Sequence, residues 1–450
     1  MVNQAYRTSS LERVSYGSYF FGQNVIYTLQ FQFLSFFYTE SVGLSIASAS
    51  LLLLIARLLD AFYDPLMGAI VDKHLFKSSK YLVWLRIVTY TVPLSLVFVF
   101  FSIGQTYSVK LIFAYATYLV WGMLYTMSDS PLFSLSTAMT DNIFERDKLI
   151  SYGRLAAALA AISSAVFMSL KGGVGWTGSI SIYALISFLA MFPLQFLAKE
   201  RIQYKRSSNI TFKKIFTFLF KNKKLMIYYV GFLAISSTNT LQTMAVYFAN
   251  SNLGDAGKVT IIMGISVLPV VILAPMLPMI IKKFGKRNIT IFCCIMTVFM
   301  CLLQYFAGYD NFALFLALAA IRVAFMQLPL LIYGMFTADC IEYGAFINGE
   351  RTEAIAFSVQ TLMTKLSGAL CVTLSLQMMG FFGYVTQGKT QTPEALHGIW
   401  IIMSLVPIVG YLIMLIVMTF FYKLSETQVS EMMATNQLVE MASRDESNKE

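Results

Sequence analysis

Two aspartates four residues apart, Asp60 and Asp64, stand with Arg57 in the middle of a long apolar stretch, residues 44–71. On a helix that spacing puts both carboxylates on one face, with the guanidinium close to the same face. A charge at the centre of a bilayer costs ~2.5–3.5 kcal/mol on insertion scales, so it needs a partner or a wet cavity. Two carboxylates and one guanidinium leave a surplus negative charge, which a bound cation or a proton would neutralise. The blander reading is an ion-pair network that only fixes helix packing.

Other polar side chains interrupt apolar stretches in the same way. The first stretch carries Gln23, Asn24, Gln30 and Gln32; the fourth carries Thr126, Ser128 and Asp129; the fifth has Arg154; the eleventh has Gln360, Thr361, Thr364 and Lys365. Amides, hydroxyls, a carboxylate and a guanidinium, interleaved with aromatic rings, suit a polyhydroxylated ligand. Charged groups and amides pair with vicinal hydroxyls, and rings cover a sugar's C–H face. Asp64 precedes Pro65 and Asp129 lies just before Pro131. Proline frees backbone groups and bends a helix, and ligand sites in transporters gather where helices are broken. The serines and threonines at 236–240 are more simply read as contacts between helices.

The elements that must position these residues are membrane-spanning helices. Of 450 residues, 57% are hydrophobic, 15% aromatic and only 12% charged, with mean hydropathy +0.68. That composition excludes a soluble enzyme and indicates a polytopic all-α membrane protein. Twelve spans are predicted, at 14–39, 45–71, 82–103, 110–139, 149–170, 178–199, 225–249, 258–281, 289–307, 312–340, 353–383 and 396–422. Each is long enough to cross the hydrocarbon core. Connections after even-numbered spans are basic, as at Lys73, Lys77 and Lys80, or Lys282, Lys283, Lys286 and Arg287, whereas 39–43 and 104–109 lack Lys and Arg. The positive-inside rule therefore places both termini in the cytoplasm of a cell whose inner membrane holds the chain. The net charge of +10 belongs to these loops and indicates no nucleic-acid partner.

A basic linker at 200–224, with an expected amphipathic helix on the membrane surface, divides the chain into bundles at 1–199 and 225–423, followed by a polar tail at 424–450 with a short helix at 426–433. Two six-helix bundles are the layout of a transporter with its substrate between the halves. One chain is expected to suffice as a monomer. No cleavable leader is expected, since the first apolar run continues into the fold. The five cysteines suggest neither a disulfide framework nor a zinc site. Gly173, Gly175 and Gly178 match a dinucleotide-binding spacing but have no βαβ context, His74 and His397 are far apart, and the sequon at Asn209 falls in the linker. With no nucleophile–base pair or metal cluster, neither enzymatic activity nor a cofactor is expected.

The stretch from Arg57 through Asp60, Ala61, Asp64, Pro65, Met67 and Gly68 resembles the R-x-x-D-A-x-x-D-P-x-M-G signature of the glycoside–pentoside–hexuronide:cation symporters of the major facilitator superfamily. Supporting matches run along the chain: Ser15–Tyr16–Gly17, Trp121–Gly122–Met123 with Tyr125, Thr126 and Asp129, and Ala338–Asp339, Glu342–Tyr343–Gly344, Gly349–Glu350–Arg351 and Glu353. The resemblance implies secondary active, cation-coupled sugar uptake by alternating access. It implies a monovalent-cation site of Asp60, Asp64 and Thr126, with Arg57 as a partner of the empty site. It implies a sugar site around Gln23, Asn24, Asp129 and Arg154, to which Phe133, Gln360 and Lys365 are added.

Departures from the melibiose permease pattern bear on specificity. Gln23 and Asn24 stand where that pattern has a charged Lys–Asp pair, Phe133 replaces a tryptophan, and Tyr63 replaces an asparagine beside the second aspartate. A phenol is a poorer ligand for a hard cation than an amide oxygen, which favours H+ slightly over Na+. Asp72, Lys73, Arg146, Asp339, Glu342 and Arg351 are candidates for ion pairs that close the cytoplasmic side. The rival readings are a same-fold symporter of a non-sugar amphiphile, such as a lysolipid, and a non-transporting sugar sensor.

Overall fold

A computed structural model describes residues 8–72, 79–140, 143–202, 222–348, 353–387 and 390–447. The described residues form helices joined by short connections. The helices are α1 (Ser10–Phe36), α2 (Ile46–Asp72), α3 (Leu82–Val99), α4 (Tyr107–Met139), α5 (Ile143–Ala165), α6 (Phe167–Met191) and the single turn α7 (Leu194–Leu197). They continue with α8 (Lys223–Ser237), α9 (Leu241–Tyr247), α10 (Lys258–Phe284), α11 (Lys286–Ala307), α12 (Phe312–Asn348), α13 (Glu353–Phe381), α14 (Pro393–Ser404), α15 (Val406–Ile416) and α16 (Glu426–Ser447). Each predicted span falls largely on helix, but the third ends at Val99 and the seventh is broken between Ser237 and Leu241. Among the described residues, seven helical stretches are long and apolar enough to cross a membrane. The break predicted at 170–178 survives as a kink at Gly175, whose φ of 73° only glycine adopts cheaply. The expected linker helix lies outside the described residues, and α16 is longer than predicted.

Buried polar groups at helix ends show why the helices start where they do. Ser9 and Glu12 cap α1 reciprocally: Glu12 N–H donates to Ser9 Oγ at 3.2 Å, and Ser9 N–H to Glu12 Oε2 at 2.7 Å. Glu200 accepts the N–H groups of Lys80, Tyr81 and Leu82 at 2.7–2.8 Å and so caps α3 from a distant part of the chain. Large apolar side chains such as Ile112, Phe306 and Phe381 are exposed. In a bilayer such surface faces lipid.

The chain divides into two compact units. The first comprises Met1–Ser208, Gln242–Val267 and Ser375–Gly398; the second comprises Asn209–Leu241, Leu268–Leu374 and Ile399–Glu450. The first unit thus takes in the ends of helices from the second half of the chain. They are held to α2 and to the turn after α1 by a Thr39–Tyr247 hydroxyl pair at 2.9 Å, by Gln377 Nε2 donating to Ser50 Oγ at 2.5 Å, and by Gln387 N–H donating to Glu40 at 3.1 Å. Within it α1 runs against α5 and α6, and α4 against α2 and α3. The α1–α6 approach is close enough that a Cβ at Gly22 would stand 2.6 Å from the Ser187 carbonyl oxygen. The second unit has an aromatic core in which Phe232 stacks on Tyr333.

Candidate functional site

In the first unit, α1, α2 and α4 bring the charged motif together with the polar residues of the first and fourth spans. Arg57 and Asp60, one turn apart on α2, are both buried and form an ion pair at 3.6 Å. Arg57 Nη2 also donates to Gln30 Oε1 on α1 at 2.7 Å, and Gln30 Nε2 donates to the Tyr118 hydroxyl on α4 at 2.9 Å. The guanidinium carbon lies 5.5 Å from the centre of the Tyr27 ring. Arg57 is therefore held by α1 and its own helix, with α4 reaching it through Gln30, rather than left to lipid.

Asp60 lies against α4 where that helix has no side chain. A Cβ at Gly122 would stand 2.8 Å from Asp60 Oδ1, so any larger residue there would displace the carboxylate. Gly122, Thr126 and Asp129 are spaced four and three apart and share one face of α4. Thr126 is buried, one turn beyond the carboxylate's contact point. Two turns along that face, Asp129 Oδ1 accepts a hydrogen bond from Gln23 Nε2 at 2.6 Å. The same amide donates to Ser128 Oγ at 2.7 Å, whose own proton is spent on the Tyr125 carbonyl. Tyr118, Trp121 and Tyr125 stack along α4 at 5.7 and 5.1 Å, and Tyr27 meets Tyr125 at 5.6 Å. The result is that a carboxylate–amide pair and a carboxylate–guanidinium pair both meet one face of α4, beside a wall of rings.

The other predicted residues fall as follows. The side chain of Asp64 lies outside the described residues, as do that of Asp72 and the whole of Lys73 and Arg351. Asn24 Nδ2 donates to its own helix at the Phe20 carbonyl, 2.8 Å away, which turns one of its donors back on the backbone. Phe133 is exposed and packs edge-on against Phe20 at 5.2 Å. Arg154 is exposed on α5, and among the described residues no contact ties it to the Gln23–Asp129 pair. Tyr63 is half-buried on α2. Gln360 and Lys365 are half-buried on α13 in the second unit.

Of the residues proposed for cytoplasmic closure, Arg146 is half-buried on α5. Asp339 pairs with Lys286 at 2.5 Å, and Glu342 accepts from Asn436 Nδ2 at 3.0 Å, both within the second unit.

Sequence reasoning missed several neighbours. Tyr27 and Tyr118 brace Arg57; their spacing from Gln23, Gln30, Gly122 and Asp129 in steps of three and four was the available signal. Glu145 lies between the fourth and fifth predicted spans and carries no sequence signal of burial. It is fully buried, accepts from Thr8 N–H at 2.7 Å and from Thr140 Oγ1 at 2.6 Å, is hydrogen-bonded to Thr8 Oγ1, and pairs with Arg13 at 3.5 Å. Arg201, read as part of a basic linker, pairs with Glu12 at 2.9 Å.

A bundle of long apolar helices with charged pairs buried on facing helices is the construction of a membrane transporter, and comparison with known proteins agrees. The chain belongs to the MFS/sugar transport protein family, whose model matches residues 15–426. It is 30% identical over 437 residues to the uncharacterized symporter YjmB of Bacillus subtilis (strain 168), covering 94% of each chain. It is 27% identical over 444 residues to the isoprimeverose transporter of Lactiplantibacillus pentosus, covering 91% of this chain and 88% of that one. It is 25% identical over 422 residues to a glucuronide carrier protein homolog of Escherichia coli (strain K12), covering 91% of both. The crystal structure of the nucleoside transporter NupG has the same fold, with a TM-score of 0.65 at 15% identity over 92% of this chain and all of that one. The resemblance to glycoside–pentoside–hexuronide:cation symporters thus holds, and the protein is a multi-pass membrane symporter of a sugar or glycoside.

Proposed function

We propose that the transporter takes up a sugar or glycoside, driven by a cation bound at Asp60 and Asp64 with Thr126. The sugar is held by Gln23 and Asp129, with the aromatic wall of Tyr27, Trp121 and Tyr125 beside it. The observation that carries this reading is the shared face of α4. Asp60 meets it at Gly122, and Asp129 stands two turns further on, tied to Gln23 at 2.6 Å. An ion that pulls on Asp60 and a sugar that pulls on Asp129 therefore act on one rigid helix, which is a physical route to cooperative binding. The solute names of the relatives, a glucuronide and isoprimeverose, support a glycoside as the chemical class. The chain works without a cofactor or enzymatic step, as a monomer in the cell's inner membrane with both termini in the cytoplasm.

The coupling ion on this reading is the proton. Tyr63 offers a phenol next to Asp64 in the sequence, a poorer ligand for a hard cation than an amide oxygen, and that favours the proton. Uptake into proteoliposomes tests both parts. Asp60→Asn and Asp64→Asn should each abolish accumulation against a gradient while sugar exchange persists. Full accumulation in both variants would end the reading. Sugar addition should alkalinise the medium; stimulation by Na+ without alkalinisation would reassign the ion. Tyr63→Asn should then introduce Na+ dependence.

A further inference from the structure

The second unit holds a charged side chain that the transport site does not use. Arg322 lies on α12 ten residues after Phe312, which places it ~15 Å along a helix that crosses a hydrocarbon core of ~30 Å. It is 1% exposed. Its Nη1 donates to the Met403 carbonyl at 2.9 Å, while Nε and Nη2 are buried without a hydrogen-bond partner. The guanidinium also meets the Cys301 thiol on α11. Thr297, Cys301 and Gln304 are spaced four and three apart on one face of α11, the helix that packs along α12. All three are fully buried, and the Thr297 hydroxyl and both polar atoms of the Gln304 amide are likewise unpartnered.

Helical side chains lean towards the N-terminal end of their helix. Arg322 therefore leans towards Phe312, the end at which α11 arrives with Gln304. Among the described residues, no carboxylate meets it. An amide or hydroxyl can satisfy a guanidinium's hydrogen bonds but not its charge, and an unneutralised cation at this depth is strongly disfavoured.

We propose that Arg322, with Gln304, binds a small inorganic anion of the halide class inside the second unit. The open guanidinium N–H groups and the amide N–H2 are all donors, and a halide accepts from several directions at once. A monovalent ion balances the single positive charge. Complete burial of both side chains excludes a sugar-sized anion. The role is distinct from cation coupling at Asp60, and the inference does not depend on that assignment.

The test uses the purified full-length protein in chloride-free gluconate buffer. Equilibrium dialysis with radioactive chloride should show one saturable site per chain, and thermal unfolding should rise in temperature as chloride replaces gluconate at constant ionic strength. Arg322→Met keeps the length and removes the charge, an exchange that buried ion sites usually tolerate. It should weaken chloride binding by at least about tenfold and remove the thermal response, because a charge-assisted contact is lost. Gln304→Leu, which leaves the arginine in place, should weaken binding by a smaller factor, and it carries the test if the arginine variant fails to fold. Absence of saturable chloride binding in the unaltered protein would overturn the proposal. So would binding that persists unchanged in both variants.

Discussion

Gly122→Ala probes the contact between α2 and α4 with a single methyl group. The new Cβ would stand 2.8 Å from Asp60 Oδ1, whereas ordinary contact begins at 3.4 Å, so the carboxylate must retreat by 3.4 − 2.8 = 0.6 Å. The obstructed atom ends a side chain, so the helices need not part. Alanine is moreover better than glycine inside a helix by ~1 kcal/mol, and the variant should express and fold. The cost falls on the site. A metal ligand must stand within about 0.2 Å of its ideal distance, and a 0.6 Å retreat lies well outside that tolerance. Overpacking of about 1–3 kcal/mol, expressed wholly in ion binding, predicts roughly 5- to 150-fold weaker apparent affinity for the coupling ion. A proton needs no such geometry, so a proton-coupled carrier would shift its pH dependence rather than lose coupling. The assay is uptake in proteoliposomes titrated against Na+ and against pH, with Gly264→Ala as control, since an added Cβ there meets nothing within 4 Å. Wild-type ion dependence in Gly122→Ala, alongside lost accumulation in Asp60→Asn, would refute the argument that α4 positions this carboxylate.

Two further outcomes follow from side chains whose partners differ. Gln23→Ala removes both bonds from one amide, including that to the Asp129 carboxylate, and should weaken sugar binding by about tenfold or more, from ~1.5–3 kcal/mol for a charged hydrogen bond. Asn24→Ala should change it less than about threefold, because that amide already bonds its own helix; equal losses from the two, measured by sugar binding to purified protein, would contradict the arrangement. At the start of α1, burial pushes the Glu12 carboxyl up, but hydrogen bonds from Arg201 and Ser9 and the nearby guanidinium charge outweigh it and hold the group below the usual carboxylate range. A depressed pKa contributes stability that is complete above the unfolded value, ~4.3, and is lost as pH falls through the folded one. Arg201→Gln should therefore lower the unfolding temperature at neutral pH, by an amount that shrinks below about pH 4. A deficit independent of pH would show that Arg201 acts only through packing.

How much of this was legible beforehand depended on the kind of pattern each feature leaves. Spans are written in runs of apolar residues, and a bilayer allows few structures other than helices there, so the helical layout followed from composition and length. The Arg57–Asp60 pair was legible because a helix repeats every three to four residues. That the pair meets α4 at Gly122 was not, because a glycine inside a span reads as a neutral small residue until the facing side chain is known. The same gap separates Gln23 from Asn24. Both are amides in one turn of α1, yet one reaches Asp129 on another helix and the other turns back on its own backbone.

Charges near loops were the least legible of all. Glu145 and Arg201 read as solvated residues at the ends of spans, since composition cannot distinguish a loop charge from one tucked beneath it. Their partners lie far along the chain: Glu145 reaches Thr8 and Arg13, and Arg201 reaches Glu12. These contacts tie the start of α1 to the start of α5 and to the segment after α7, so the three ends behave as one clamp. Any motion of α1 that opens the Gln23–Asp129 pair must either carry this clamp along or break the buried Arg13–Glu145 pair. Removing one partner of a buried pair costs about 3–5 kcal/mol. The first six helices are therefore expected to move as a rigid body during transport, with rearrangement confined to the contacts of α2 and the turn after α1 with the helix ends from the second half of the chain, at Thr39–Tyr247 and Ser50–Gln377.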